Sequence, residues 1–164
     1  MINALDAISK TLGRAISWFT LLMVLVTFVI VVLRYVFGTG LIWLQESLSW
    51  MHAVVFMLGA AYTLQQDEHV RVDIFYREMT DNHRAWVNLL GVLVFIFPMC
   101  AFFFYSSIDY VSAAWSIREV SRNSGGLPYP FVPLLKSVLV LMPVTVGLQG
   151  LSMLLQAVRV IRER

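Results

Sequence analysis

The chain has 164 residues, of which 59% are hydrophobic and only 13% charged; an ordinary soluble domain is roughly half apolar and about a quarter charged. A chain so poor in charge cannot cover a water-facing surface, which excludes a disordered tail and a secreted disulfide scaffold and points to an integral membrane protein. Its formal net charge of +2, from 12 basic and 10 acidic residues, leaves no basic face for a nucleic acid.

At the N-terminus Ile2, Leu5, Ile8 and Leu12 recur at helical spacing, with Asn3, Asp6 and Lys10 turned elsewhere. The segment is either a short amphipathic helix on the membrane surface or a prolongation of the first span. Four charge-free stretches follow, at 15–33, 47–66, 85–108 and 137–158, with 19, 20, 24 and 22 residues. As helices they reach about 28 to 36 Å, enough for a hydrocarbon core of about 30 Å. Lipid offers no partner for a free backbone group, so the expected fold is all-α, with four transmembrane helices in one membrane domain, 1–164. The first stretch is too long for a signal peptide, and Arg34-Tyr-Val-Phe37 follows it in place of a cleavage site, so it stays as an anchor.

Between the spans, the 67–84 loop holds five acids, three arginines and two histidines and must be wet; Asp81 is placed to cap the third helix. The 109–136 loop is expected to prolong the third helix through Trp115 towards Arg122. Asn123-Ser-Gly-Gly126 and the prolines at 128, 130 and 133 then enforce a turn and an extended re-entry. Lysines and arginines number eight in the two termini and the 67–84 loop, against four in the other two loops. That bias predicts both termini in the cytoplasm.

Catalytic, cofactor-binding and metal residues are not expected. His52 is the one ionisable candidate inside a span besides Cys100. It lies six residues past Glu46, about 9 Å along a helix, and so reads as a neutral interfacial histidine; His69 and His83 belong to the opposite membrane face and leave it no partner within the chain for bis-histidine haem ligation. Cys100 sits in an apolar run and reads as an inert buried thiol. His69 and Asp73, at i and i+4, would reach one ion only if helical; a solvated loop is the plainer reading. Pro98 and Pro143 read as kinks in the third and fourth helices rather than as the broken, Gly-rich midplane of a transport pathway.

The chain does carry surfaces for helix–helix contact. Pro143, Gly147, Gly150 and Ala157 fall near one face of the fourth span, and Gly59-Ala-Ala61 lies along the second. Gly13, Ser17, Thr20, Thr27 and Arg34 form a polar stripe on the first, expected to face protein. Trp43, Trp50, Trp86 and Trp115 lie at or near span ends, as interfacial anchors do. Glu46, at the outer mouth of the second helix, either caps that helix, pairs with Arg34 across the short loop, or meets a cation on a partner.

Taken in order, Trp43-x-x-Glu46, Gly59-Ala-Ala61, Glu68-His-Val-Arg-Val-Asp73, Trp115-Ser-Ile-Arg-Glu-Val-Ser121, Leu127-Pro-Tyr129 and Lys136 run over nearly the whole chain. The pattern resembles the small membrane subunit (DctQ-like) of tripartite ATP-independent periplasmic (TRAP) transporters. Two positions depart from it: Asp67 stands where a glycine is frequent, and Gln45 precedes Glu46 where an acidic pair is common. The resemblance implies a bacterial inner-membrane, non-catalytic subunit without a cofactor of its own. Its partners would be a large multi-pass subunit that couples sodium to substrate movement and a periplasmic protein that delivers an organic acid. The 109–136 loop would face the periplasm, with Arg118, Glu119 and Arg122 as polar handles. The candidate contact or structural residues are therefore Glu46, Arg34, Gly59, His69, Asp73, Arg118, Glu119, Gly147 and Gly150. The alternative is a membrane anchor of a redox enzyme holding haem or quinone at a subunit interface.

Overall fold

The computed structural model describes residues 2–67, 76 and 78–163. Its elements are α1 (Ile2–Tyr35), α2 (Ile42–Gln65), α3 (Asp81–Gly91), a π-helical turn (Val92–Ile96), α4 (Phe97–Ser116) and α5 (Phe131–Arg162). The described residues contain no strand. The stretch Asp81–Ser116 is one rod of 36 residues, and among the described residues four helices are long and apolar enough to cross a membrane.

Two helix ends have a plain local cause. After α1, Gly38 adopts φ +64°, which turns the chain so that the Thr39 amide donates to the Leu33 carbonyl at 2.9 Å. After α4, Arg118 takes the left-handed conformation (φ +48°), with Glu119 N–H bonded to Ala114 O at 3.0 Å and Arg118 N–H to Trp115 O at 3.2 Å. That pair of bonds is the Schellman closure, here built on arginine in place of glycine. It stops the helix at Ser116, six residues short of Arg122. Asp81 does not cap α3: Thr80 occupies the cap position, and Asp81, in the first turn, faces Arg84 at 3.8 Å.

Pro98 produces a π turn and not a break. A proline inside a helix lacks the N–H and crowds the carbonyl four residues earlier, here Val94. The wider turn Val92–Ile96 lies immediately before it, with the Phe97 amide reaching back five residues to Val92 O.

The four helices alternate in direction, and α5 is central. One third of its apolar window is buried, against 6% for α1. A small apolar cluster of Ala61, Cys100 and Val146 joins α2, α4 and α5. Gly150 brings α5 onto the π turn: a Cβ there would stand 3.1 Å from Ile96, 3.4 Å from Phe97 and 3.6 Å from Val92. Gly13 sits under the Tyr62 ring, where a Cβ would overlap it, so α1 and α2 are in close contact there. Ser9 reaches Gln149, and Asp6 reaches Ser152 and Gln156. The N-terminal residues are thus the first turns of a single helix that packs on α5. At this end α1 and α5 run past the end of α2, and Ile2 and Arg162 line one crevice.

Candidate functional site

At the end of the bundle opposite the termini, Glu46 organises the 117–130 connection. It lies in the second turn of α2, and its carboxylate accepts three hydrogen bonds: Ser121 Oγ at 2.5 Å and Asn123 Nδ2 at 2.7 Å on Oε1, and Leu127 N–H at 2.7 Å on Oε2. Two backbone bonds close the same knot, Trp43 N–H to Gly125 O at 3.1 Å and Ser121 N–H to Leu127 O at 3.2 Å. Gly126 leaves the room, since a Cβ there would fall 2.6 Å from Glu46 Oε2. Glu46 therefore neither caps α2 nor pairs with Arg34, which is exposed. Bonds to a charged acceptor are shorter and stronger than neutral ones, so one side chain holds the rim in one shape.

Glu119 is also taken within the chain. Its Oε2 receives Lys136 Nζ at 2.5 Å, and the ammonium lies 3.9 Å from the centre of the Tyr110 ring. Both side chains of the pair are largely covered, at 19% and 16% exposed, so Glu119 is no free handle. Arg118 and Arg122 are exposed beside it. Two tryptophans bond across helices here, Trp115 Nε1 to Ser137 Oγ at 2.9 Å and Trp50 Nε1 to Phe131 O at 3.1 Å. They are cross-links as well as interfacial rings.

At the terminal end lies a cluster that sequence reading missed. Asp6 accepts Ser152 Oγ at 2.6 Å, Gln149 Nε2 at 3.1 Å and Gln156 Nε2 at 3.3 Å, while Ser9 Oγ donates to Gln149 Oε1 at 2.7 Å. Gln149 and Ser152 are 2% and 0% exposed. The available signal was Gln149, Ser152 and Gln156 sharing one helical face inside an apolar run. Asp6, Asp81, Arg84 and Asn88 border a crevice of about 400 Å³ beside them.

The remaining expected positions divide. Gly150 serves the fold by seating the π turn, whereas a Cβ at Gly59 or Gly147 would meet nothing within 4 Å. His52 is exposed on α2, its ring stacked on Phe56 at 6.4 Å. His69 and Asp73 lie outside the described residues. Among the described residues no three His, Cys, Asp or Glu side chains are grouped to hold a metal ion. What the chain offers chemically is a pinned rim, a polar lock between α1 and α5, and long uncovered apolar faces.

A comparison with family models matches residues 23–163 to the DctQ component of tripartite ATP-independent periplasmic transporters. No curated protein and no solved structure matches. The match covers most of the chain, including α2 with Glu46, the pinned rim and the whole of α5, and the four spanning helices agree with it. The chain belongs to the DctQ family and is a small inner-membrane subunit of a TRAP transporter.

Proposed function

We propose that this subunit braces the large multi-pass subunit of a sodium-coupled importer of organic acids, and that the Glu46-pinned rim faces the periplasm where a binding protein docks. On this reading sodium coupling resides in the large subunit, and this chain does no chemistry and carries no cofactor. The observation that supports it best is the unequal covering of the helices: α5 is packed on all the others, while α1 keeps most of its apolar surface open. A chain folded around one helix, with another left largely uncovered, suits a brace that is completed by a partner.

The excess of lysine and arginine at the terminal end supports cytoplasmic termini. The level shared by Lys10, Gln65 and Gln149 is then the inner boundary. The Asp6 network falls in the inner headgroup region, where a carboxylate is tolerated.

Reconstitution tests the reading. Proteoliposomes holding the large subunit are supplied with binding protein, an organic acid and a sodium gradient, with and without this chain. Uptake only when the chain is present supports the proposal. Equal uptake without it refutes a bracing role.

A further inference from the structure

We infer that the groove between α1 and α2 seats a transmembrane helix of the large subunit, one that presents a hydrogen-bonding side chain to His52; the inference rests on the accessory-subunit reading above. The groove is formed by Gly13, Ser17 and Thr20 of α1 and by Ser49, His52 and Gly59 of α2. It occupies two adjoining hollows of about 570 and 470 Å³ along one side of the helix pair. Gly13 lies at the edge of the groove beside Arg14, but Ser17 and Thr20 on one wall and Ser49, His52 and Gly59 on the other belong to the charge-free stretches 15–33 and 47–66, so in the membrane this part of the groove opens on hydrocarbon.

Three of its polar side chains identify the occupant. Ser17 and Thr27 bond back to their own helix, at Arg14 O and Met23 O. Thr20, Ser49 and His52 make no hydrogen bond among the described residues, and all three are exposed. An imidazole must place at least one N–H and one lone pair, and acyl chains satisfy neither. Thr20 and His52 stand at nearly one level, because Phe19 and Trp50 beside them touch edge to face at 6.3 Å. A bare lipid face would put unpartnered donors and acceptors against hydrocarbon, whereas a helix bearing an amide, hydroxyl or carboxylate pairs them. Gly59 points the same way. Glycine inside a helix costs about 1 kcal/mol against alanine, yet nothing in the chain fills the space a Cβ there would take. Of the stripe Gly13, Ser17, Thr20, Thr27 and Arg34, Gly13 is buried under Tyr62, while the other four are exposed.

The test uses the whole transporter in native membranes. A photoreactive phenylalanine analogue replaces Val24, Ser49 or Phe56 at the groove, and Phe102 or Tyr105 on the exposed side of α4, one at a time. Irradiation should yield an adduct with the large subunit from the groove positions and none from α4. Adducts from α4 alone, or groove adducts with lipid only or with a second copy of this chain, overturn the inference and leave the accessory reading standing. Absence of any large subunit from the purified, tagged material overturns both. A second arm is Gly59→Leu, which adds bulk to the groove at a position where a Cβ meets no neighbour within 4 Å. Recovery of the large subunit should fall at least tenfold while the chain's own yield and melting temperature hold; unchanged recovery contradicts the inference.

Discussion

Replacing Glu46 with glutamine tests the account of the rim at the level of single bonds. The carboxylate has two acceptors on three donors; a carboxamide has one. The oxygen will take the Oε1 position, where it keeps Ser121 and Asn123, and this turns the new NH2 group against the Leu127 N–H. One charge-assisted bond is lost and two donors face each other. A hydrogen bond to a charged group contributes about 1.5–3 kcal/mol. Because the site is partly exposed and water can enter, the lower part of that range applies, about 1.5–2 kcal/mol. At about 1.4 kcal/mol per factor of ten, the connection should open roughly 10- to 30-fold more often. Hydrogen exchange at the Leu127 amide reads that opening directly. Trypsin cleavage after Arg122 reads it a second way, and the bundle's melting transition should change little. Unchanged exchange at Leu127, together with poor recovery of the large subunit, would refute the reasoning, because Glu46 would then be acting on a partner rather than on its own loop.

Three further perturbations follow from the geometry. Gly13→Leu drives a side chain into the Tyr62 ring and should destabilise the chain by about 1–3 kcal/mol, as overpacking does; a thermal melt in detergent checks this, and Tyr62→Ala should restore part of the loss. Asp6→Ala leaves the Ser152 hydroxyl and the Gln149 amide without their acceptor, at about 1–3 kcal/mol for a buried unsatisfied donor. Loss of protection in the first turns of α1 by hydrogen exchange is the expected sign, and unchanged exchange there counts against the network. Lys136→Met strands the covered Glu119 carboxylate and should cost more than the double change with Glu119→Gln, because breaking one half of a buried pair is worse than removing both; a double-mutant cycle on melting temperature decides it.

The spans were legible because exclusion of charge is a property of each segment alone, and 22 charged residues in 164 leave the four runs plain. Glu46 stood out for the same reason, as an acid at the mouth of an apolar helix. Its partners did not, since Ser121, Asn123 and the Leu127 amide lie 75 to 81 residues away and nothing local marks a serine or a backbone N–H as taken. Asp6 was hidden differently. It looked like one more polar residue on an amphipathic N-terminus, and only the antiparallel arrangement of α1 and α5 brings it to Gln149 and Ser152. Pro98 signalled a disturbance correctly, but whether a proline kinks a helix or is absorbed by a π turn depends on neighbours, here Gly150 packed on Ile96 and Phe97. Glu119 and Lys136 show the limit from the other side: 17 residues apart across a loop, each reads as a free surface charge until the Schellman turn at Arg118 folds one onto the other.

Affinity purification of the tagged chain from its own membranes in mild detergent, with mass spectrometry of what accompanies it, addresses the central claim most directly. One large multi-pass protein should accompany the chain in about equal amount and be retained through size-exclusion chromatography. A chain recovered alone or only as its own dimer would contradict that claim, and a coloured preparation with a haem band that is lost on changing His52 would move the assignment to a redox anchor.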